Sequence, residues 1–302
     1  MRGEGKRRLL LAAALLMAVL FVLLARPAQP AETAPQGETI ETYSSEKLAF
    51  SRDGKHIYGK LFLPRGEKPF PLVVLAHGFN GNADKVEPYA RAYAESGIAA
   101  CVFDFIGGGE GSRSDGSIRE MSVLTEAEDL KTVLDSLRTR PELDQGQVFL
   151  LGRSQGGFVA TCVACERPEQ IRAMVLFFPG YSLQDDAWAR TPDPDKIPET
   201  MTLMGATIGR IYNEDAMSFD IYDRMGDYPG DVLILHGTAD DIVPIAYAER
   251  AVSAFPSAEL VRFEGAGHGF YGEDDSRATE LAVGFVKARL KELRSADEEA
   301  AA

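Results

Sequence analysis

Cysteine and histidine are scarce in this chain, and their scarcity excludes several kinds of protein. The 302 residues include three Cys and four His. The cysteines, Cys101, Cys162 and Cys165, cannot all pair with one another and are too few for a disulfide framework. The sequence contains no His and Cys spacing typical of a metal site. We therefore expect neither a bound metal nor another cofactor.

Basic residues are also in deficit. Lys and Arg number 32 against 46 Asp and Glu, which gives a formal net charge of -14. Such an acidic surface repels phosphate backbones, so the composition disfavours nucleic acid as a partner. Hydrophobic residues at 45% and charged residues at 26% are ordinary for a globular protein and exclude a disordered chain. The length allows one large domain or two.

One long apolar run stands at the start of the chain. Basic residues precede an uninterrupted apolar stretch from Leu9 to Ala25, which predicts an export signal over residues 1–25. Its length lies between a signal core and a bilayer span, which leaves removal and retention both open. The poor cleavage motif favours retention as a membrane anchor. Residues 26–42 are typical of a linker, and the rest of the chain is expected to be extracytoplasmic, either secreted or anchored.

Beyond the linker, short apolar runs alternate with amphipathic stretches. The runs predict buried parallel strands near residues 71–76, 98–105, 148–151, 171–178, 232–235 and 260–263. Helical patterns lie near residues 85–96, 120–139, 155–166, 245–255 and 275–293. An opening hairpin, 48–51 with 56–63, turns at Asp53-Gly54. This pattern predicts an α/β domain over residues 43–296, with a mostly parallel doubly wound sheet, an insertion at about 181–227 and an acidic, alanine-rich tail at 297–302.

The candidate chemistry begins at Gly152-Arg153-Ser154-Gln155-Gly156, which follows a predicted strand and opens a predicted helix. In that position the G-x-S-x-G sequence predicts a nucleophile elbow, with Ser154 as the nucleophile. The strand and helix nearly touch at such a turn, so side chains are excluded two positions before and after the serine. The pentapeptide alone is a weak signal, and its context strengthens it.

A serine nucleophile needs a base, a carboxylate that orients the base and donors for an oxyanion. Asp240 follows a late strand and His268 lies in the glycine-rich loop after the next one, so the chain order is Ser, Asp, His. Asp241 competes for the acid role, but the next position along a turn faces elsewhere. We assign the oxyanion hole to the backbone N–H groups of Phe79 and Gln155.

Other polar residues are expected to have structural roles. His77 and His236 end strands beside Gly, which indicates orienting hydrogen bonds rather than proton transfer. Cys162 and Cys165 lie on the helix behind the nucleophile and are expected to face the core. The helix over 120–139 carries three acids that predict a solvated face: Glu126, Glu128 and Asp129.

Several motifs lie outside the general elbow pattern. They are His77-Gly78-Phe79 with Gly81, Asp104-Phe105 followed by Gly107 and Gly109, Met121-Ser122-Val123-Leu124-Thr125-Glu126, Ser154-Gln155-Gly156-Gly157, His236-Gly237 with Asp240, and Gly267-His268. From about Leu48 to the C-terminal helix the chain thereby resembles the α/β-hydrolases of the feruloyl (cinnamoyl) esterase group, relatives of serine aminopeptidase-like hydrolases. The resemblance implies an α/β-hydrolase fold in which the insertion forms a lid over an acyl pocket.

The resemblance also implies a substrate contact. Asp186 corresponds to an aspartate that hydrogen-bonds the phenolic hydroxyl of a hydroxycinnamoyl group, although it equally fits a surface carboxylate on a loop. The partner tyrosine of that group has no counterpart at residues 202–208, and Tyr212 follows a few residues late.

The sequence therefore predicts an exported or membrane-tethered serine hydrolase that cleaves small-molecule carboxylic esters. One alternative is an aminopeptidase-like serine peptidase, in which acids of the insertion capture a free amino terminus: Asp185, Asp186, Asp193 and Asp195. Another is a non-catalytic binding module built on the same scaffold.

Overall fold

The computed structural model describes residues 42–301, with side chains described through residue 292. The predicted signal (1–25) and all but the last residue of the predicted linker (26–42) lie outside the described residues. Within the described part, no helix is both long and apolar enough to cross a bilayer.

Ten strands occur in the described residues. In chain order they are β1 (Tyr43–Arg52), β2 (Lys55–Pro64), β3 (Phe70–Ala76), β4 (Ala99–Phe103), β5 (Leu143–Arg153), β6 (Ala173–Phe177), β7 (Thr200–Leu203), β8 (Ala206–Gly209), β9 (Asp231–Gly237) and β10 (Ala258–Phe263). Eight of them form one sheet in the order β1-β2-β4-β3-β5-β6-β9-β10, whereas β7 and β8 form a separate hairpin. The β1–β2 and β2–β4 pairs are antiparallel, and the other pairs of the large sheet are parallel.

Eight α-helices accompany these strands in the described residues. They are α1 (Glu87–Glu95), α2 (Val123–Leu137), α3 (Gln155–Glu166), α4 (Leu183–Arg190), α5 (Arg210–Met217), α6 (Tyr222–Met225), α7 (Ala246–Ala254) and α8 (Glu273–Ala301). Short 3₁₀ turns lie at Ala83–Lys85, Pro168–Gln170 and Pro194–Lys196.

The large sheet is covered on both faces. Successive residues of a strand point to opposite faces, and in β3 Leu72 and Val74 pack with α2 and α3, whereas Val73 and Leu75 pack with α1 and α8. This two-sided burial explains why the parallel strands consist of continuous apolar runs. The predicted α/β-hydrolase class, with its mostly parallel doubly wound sheet and opening hairpin, is confirmed.

The expected solvated acidic face of α2 is wrong for two of its three acids. Glu128 is exposed, but Glu126 and Asp129 are buried. Asp129 accepts hydrogen bonds from Arg52 Nε at 2.6 Å and from the Ile106 N–H at 2.8 Å. Because α2 packs against both the sheet and α3, acids on these sides of the helix are enclosed and bind internal donors.

The segment between β6 and β9 holds α4, the β7–β8 hairpin, α5 and α6. None of these elements was predicted from the sequence. We refer to residues 181–227 as the insertion.

Candidate active site

Ser154 lies between the end of β5 and the start of α3, in a backbone conformation that few non-glycine residues adopt. Its φ is 55° and its ψ is -122°. The flanking glycines are required by close packing: a Cβ on Gly152 would lie 2.5 Å from the Gly156 carbonyl oxygen, and one on Gly156 would lie 2.4 Å from the Ala76 and His77 carbonyl oxygens. A strained residue that close packing holds in place is typical of functional sites. This turn has the shape of a nucleophile elbow.

The structure brings Ser154, His268 and Asp240 together. The Ser154 hydroxyl oxygen lies 2.8 Å from His268 Nε2, and His268 Nδ1 lies 2.8 Å from Asp240 Oδ2. A carboxylate only accepts hydrogen bonds, so Nδ1 carries the proton and Nε2 is free to accept from the hydroxyl. The ring of Phe178 packs edge-on against the imidazole, with 4.8 Å between ring centroids.

Asp240 is buried and surrounded by donors. Its Oδ1 accepts from the backbone N–H groups of Ile242 and Val243 at 3.0 and 2.9 Å. His236 Nε2 donates to the Val243 carbonyl at 2.8 Å and lies 3.2 Å from Asp240 Oδ2. Burial alone would raise the pKa of Asp240, but His236, His268 and the Val243 N–H outweigh it, so the pKa lies below its ordinary value. The carboxylate therefore stays ionised at neutral pH.

The backbone N–H groups of Phe79 and Gln155 make no hydrogen bond to any other described group. Both residues line the same cavity as Ser154. The loop that carries Phe79 is held by His77, whose Nδ1 donates to the Gly78 carbonyl at 2.9 Å while Nε2 accepts from the Phe105 N–H at 3.3 Å. Burial lowers the pKa of His77, which is consistent with this neutral, orienting role.

The side chain of Gln155 is fixed by a buried network that the sequence analysis missed. Gln155 Nε2 donates to Glu126 Oε2 at 2.7 Å, and Gln155 Oε1 accepts from the Tyr212 hydroxyl at 2.7 Å. Glu126 Oε1 has no partner among the described residues. Burial raises the pKa of Glu126 well above its ordinary range, which favours the neutral form of this carboxyl. The network links α2, α3 and the insertion directly behind Ser154.

Two cavities meet at Ser154. The first, of about 460 Å³, lies beneath the insertion, and we call it the insertion-side cavity. Apolar side chains dominate its wall: Leu183, Leu203, Met204, Tyr212, Ile242 and Val243. Its charged residues are Asp186 and Arg190. Such a cavity can bury an apolar or aromatic group and orient it through a few polar contacts.

The second cavity, of about 540 Å³, contains His268 in its wall, and we call it the histidine-side cavity. It shares Phe79, Ser154, Met204 and Ile242 with the insertion-side cavity. Its charged side chains, apart from the histidine, are Lys85, Arg153 and Asp275. The hydroxyl of Ser154 thus stands at the junction of an apolar space and a more polar one.

Of the four acids considered for amine capture, Asp186 is the one that lines the insertion-side cavity. It accepts a hydrogen bond from the Ser182 hydroxyl at 2.8 Å. Asp185 accepts from the Tyr247 hydroxyl, Asp193 pairs with Lys196, and Asp195 is exposed. These carboxylates do not converge on Ser154.

The remaining predicted features have plain structural positions. Cys162 and Cys165 are free thiols within the core, and burial raises the pKa of both. Asp241 is exposed and makes no contact with His268. No group of three or more His, Cys, Asp or Glu residues within 42–301 is arranged to hold a metal ion.

Comparisons with known proteins agree with the α/β-hydrolase fold. A family model described as serine aminopeptidase, S33, matches residues 67–218, and a second, described as TAP-like protein, matches residues 220–288. Both lie within the described α/β-hydrolase domain. The first spans half of the chain and contains Ser154; the second contains Asp240 and His268.

Individual proteins resemble the chain over part of its length. The chain is 29% identical over 223 residues to the uncharacterized protein YfhR of Salmonella typhi, with 68% of each chain covered. It is 29% identical over 153 residues to human monoglyceride lipase, and this alignment covers 50% of this chain and 48% of the lipase. Among solved structures, the ferulic acid complex of Est1E from Butyrivibrio proteoclasticus superimposes with a TM-score of 0.74 at 22% identity, covering 81% of this chain and 99% of Est1E. At this identity the structural likeness concerns the fold.

Proposed function

Because the chain belongs to the serine aminopeptidase S33 family of α/β hydrolases, we propose that it cleaves carboxylic esters through an acyl-enzyme formed on Ser154. The observation that carries the proposal is the continuous pair of 2.8 Å contacts from the Ser154 hydroxyl through His268 to Asp240. A serine, an imidazole and an ionised carboxylate in this order are the parts that activate an alcohol as a nucleophile.

The proposed reaction has two halves. Ser154 Oγ attacks the ester carbonyl while His268 Nε2 takes its proton, and Asp240 stabilises the imidazolium that results. The protonated Nε2 then donates to the leaving alcohol as the carbon–oxygen bond breaks. Water, deprotonated by the same nitrogen, attacks the acyl-enzyme and releases the acid. The chain supplies every group in this sequence, and no cofactor takes part.

The free N–H groups of Phe79 and Gln155 are the proposed oxyanion donors. Neither is committed to another described group, and both border the space at Ser154. Donors that are already oriented stabilise the charge that develops in the transition state, and loss of one such donor typically lowers turnover about 100- to 1000-fold. The Glu126–Gln155–Tyr212 network would keep the second donor in place.

The two cavities would divide the substrate between them. His268 must protonate the leaving oxygen, so the alcohol occupies the histidine-side cavity and the acyl group occupies the insertion-side cavity. The apolar wall of the latter supports an aryl or long acyl group, with Asp186 as acceptor for a phenolic hydroxyl. The ferulic acid complex of Est1E and the similarity to monoglyceride lipase support an ester substrate of this kind. The insertion would then serve as a lid.

We also propose that the enzyme acts outside the cytoplasm, tethered or released according to the fate of residues 1–25. The basic start and apolar run of that segment support this placement. Cell fractionation of the full chain and of a chain without residues 1–25 tests it. The full chain is expected in the membrane or extracytoplasmic fraction, and the shortened chain in the cytoplasm.

A substrate panel separates ester hydrolysis from peptide hydrolysis. The turnover of p-nitrophenyl acetate, ethyl ferulate and an aminoacyl anilide is compared for the described domain and its Ser154→Ala variant. We expect turnover of the two esters that disappears in the variant, and little or no turnover of the anilide. Activity on the anilide alone would replace the esterase with an aminopeptidase, as the name of the family model suggests.

A further inference from the structure

Arg153, directly before Ser154, is a cation that forms no ion pair with any described carboxylate. Among the described side chains, no hydrogen bond or ion pair within 4 Å involves the Arg153 guanidinium, and its buried Nε has no acceptor. The contact that the structure gives it is with the ring of Phe178, whose centroid lies 5.2 Å from Cζ. Buried donors nearly always find an acceptor in native structures, so an unfilled one invites an explanation.

The position of Arg153 indicates which partner its guanidinium could bind. Its side chain lines the histidine-side cavity, and Phe178, on which it stacks, also packs against His268. Lys85 adds a second positive charge to the same wall. The one acidic side chain there, Asp275, accepts a hydrogen bond from the Tyr89 hydroxyl at 2.5 Å and forms no ion pair with Arg153 in the described structure. The wall thus carries two positive charges and one negative charge, in a chain whose net charge is -14.

We propose that the histidine-side cavity contains an anion subsite centred on Arg153, which selects esters whose leaving alcohol carries a carboxylate or phosphate group. The inference rests on the proposed esterase function and adds the chemical class of the leaving group. A planar guanidinium offers parallel N–H donors that match the oxygens of either anion. With the leaving oxygen at His268, an anionic group farther along the alcohol reaches past the Phe178 ring to Arg153.

The subsite acts on binding and leaves the chemical step unchanged. His268 still donates its proton to the leaving oxygen, and the anion keeps its charge throughout. Since the anion is bound both before and after bond cleavage, the released alcohol should also bind and inhibit. A neutral alcohol of the same shape lacks the ion pair and should inhibit weakly.

The test compares two esters of one acyl group: the ester of 3-hydroxybenzoate and the ester of methyl 3-hydroxybenzoate. Their kcat/KM values are measured for the wild type, for Arg153→Gln and for Arg262→Gln. Arg262 is a matched control because its guanidinium pairs with Glu249 and lines neither cavity. The ratio of the two kcat/KM values is compared across the variants, because the intrinsic difference in reactivity between the two esters then cancels.

We expect Arg153→Gln to lower the ratio of kcat/KM for the anionic ester to kcat/KM for the neutral ester about 10- to 100-fold, the range of a charge-assisted hydrogen bond. Arg262→Gln should leave the ratio at its wild-type value. Equal losses on both esters would assign Arg153 to the structure of the elbow and overturn the subsite.

A second measurement uses the wild type alone, so it does not depend on the folding of a variant. Inhibition of neutral-ester hydrolysis is compared for 3-hydroxybenzoate, 3-hydroxyphenyl phosphate and methyl 3-hydroxybenzoate. Stronger inhibition by either anion, weakening as salt is added, supports the subsite and tells which anion it prefers. Equal inhibition by all three overturns it while leaving the esterase intact. If neither ester is hydrolysed and a fluorophosphonate fails to label Ser154, the proposed function itself falls and the subsite with it.

Discussion

At the scale of single residues, the proposed reactivity of Ser154 depends on how Asp240 is held. Two backbone N–H groups and two imidazoles surround this carboxylate, and together they keep it ionised in spite of its burial. An ionised acceptor fixes the proton of His268 on Nδ1, which leaves Nε2 as the base. The neighbouring Asp241 shares none of these contacts.

Replacement of Asp240 by Asn should therefore favour the other tautomer of the His268 imidazole. An amide can donate to Nδ1, which would place the ring proton on Nε2 and remove the base. We expect kcat to fall about 10⁴-fold in Asp240→Asn, as loss of the correct tautomer does in other triads. Asp241→Asn is the matched control and should retain nearly full kcat in steady-state ester hydrolysis. A comparable loss in both variants would show that the wrong acid has been assigned.

Glu126 is the second residue with an unusual charge state. Burial raises the pKa of its carboxyl well above the ordinary value of 4.5. The folded protein therefore holds this proton to a higher pH than the unfolded chain does. The contribution of this proton to the free energy of unfolding is complete below pH 4.5. It is lost as the pH rises through the raised pKa of Glu126 in the folded protein.

Glu126→Gln removes this pH dependence while keeping an acceptor for Gln155. We expect the melting temperature of the variant minus that of the wild type to increase as the pH is raised from 6 to 9. Glu128→Gln, on the exposed side of the same helix, should show no such trend. A difference between wild type and Glu126→Gln that stays constant with pH would mean that Glu126 is not neutral in the folded protein.

At the scale of elements, the β7–β8 hairpin contributes one residue, Met204, to the lining of both cavities. Its connection is two residues long, Met204-Gly205, with φ values of 46° and 83°. Two positive φ values match the twist of a tight hairpin, but Asn-Gly is the usual sequence and a Met there is strained. The Met204 side chain is 62% exposed and borders both cavities. The strain therefore coincides with a position facing the proposed substrate.

Met204→Asn should separate strain from substrate contact. Asn tolerates positive φ, so we expect the free energy of unfolding to rise by about 1 kcal/mol, while KM for esters with an apolar acyl group rises and kcat is retained. Met204→Ala removes the side chain but keeps the strained backbone, and should raise KM without the gain in stability. Chemical denaturation and steady-state kinetics measure the two effects. The same stability change in both variants would refute the strain.

The sequence did not predict the β7–β8 hairpin. The strands of the large sheet could be predicted because burial on both faces demands continuous apolar runs. The strands β7 and β8 are only four residues each, and Met-Gly joins them in place of the usual Asn-Gly, so their short alternation gave no clear hairpin signal. The burial of Glu126 could not be predicted either, because its partner Gln155, and the Tyr212 that donates to Gln155, lie far away along the chain.

At the scale of the whole molecule, Ser154, Asp240 and His268 meet although 114 residues separate the first from the last. They follow β5, β9 and β10, which are parallel strands of one sheet, so their carboxyl ends lie along one edge. Their grouping was predicted from the elbow motif, the strands that precede each residue and the order of the three along the chain. The resemblance implied an acyl pocket under the insertion, but the residues that line it and the second cavity could not be predicted, because they depend on where the insertion packs.

The central claim is that Ser154 carries the acyl group, and trapping that intermediate tests it most directly. The protein is mixed with p-nitrophenyl acetate, quenched in acid during turnover, digested and analysed by mass spectrometry. We expect one acetyl group per chain at most, on the peptide that contains Ser154, and none on that peptide in Ser154→Ala. An acetyl group carried on another residue, or ester hydrolysis at the wild-type rate in Ser154→Ala, would contradict the account.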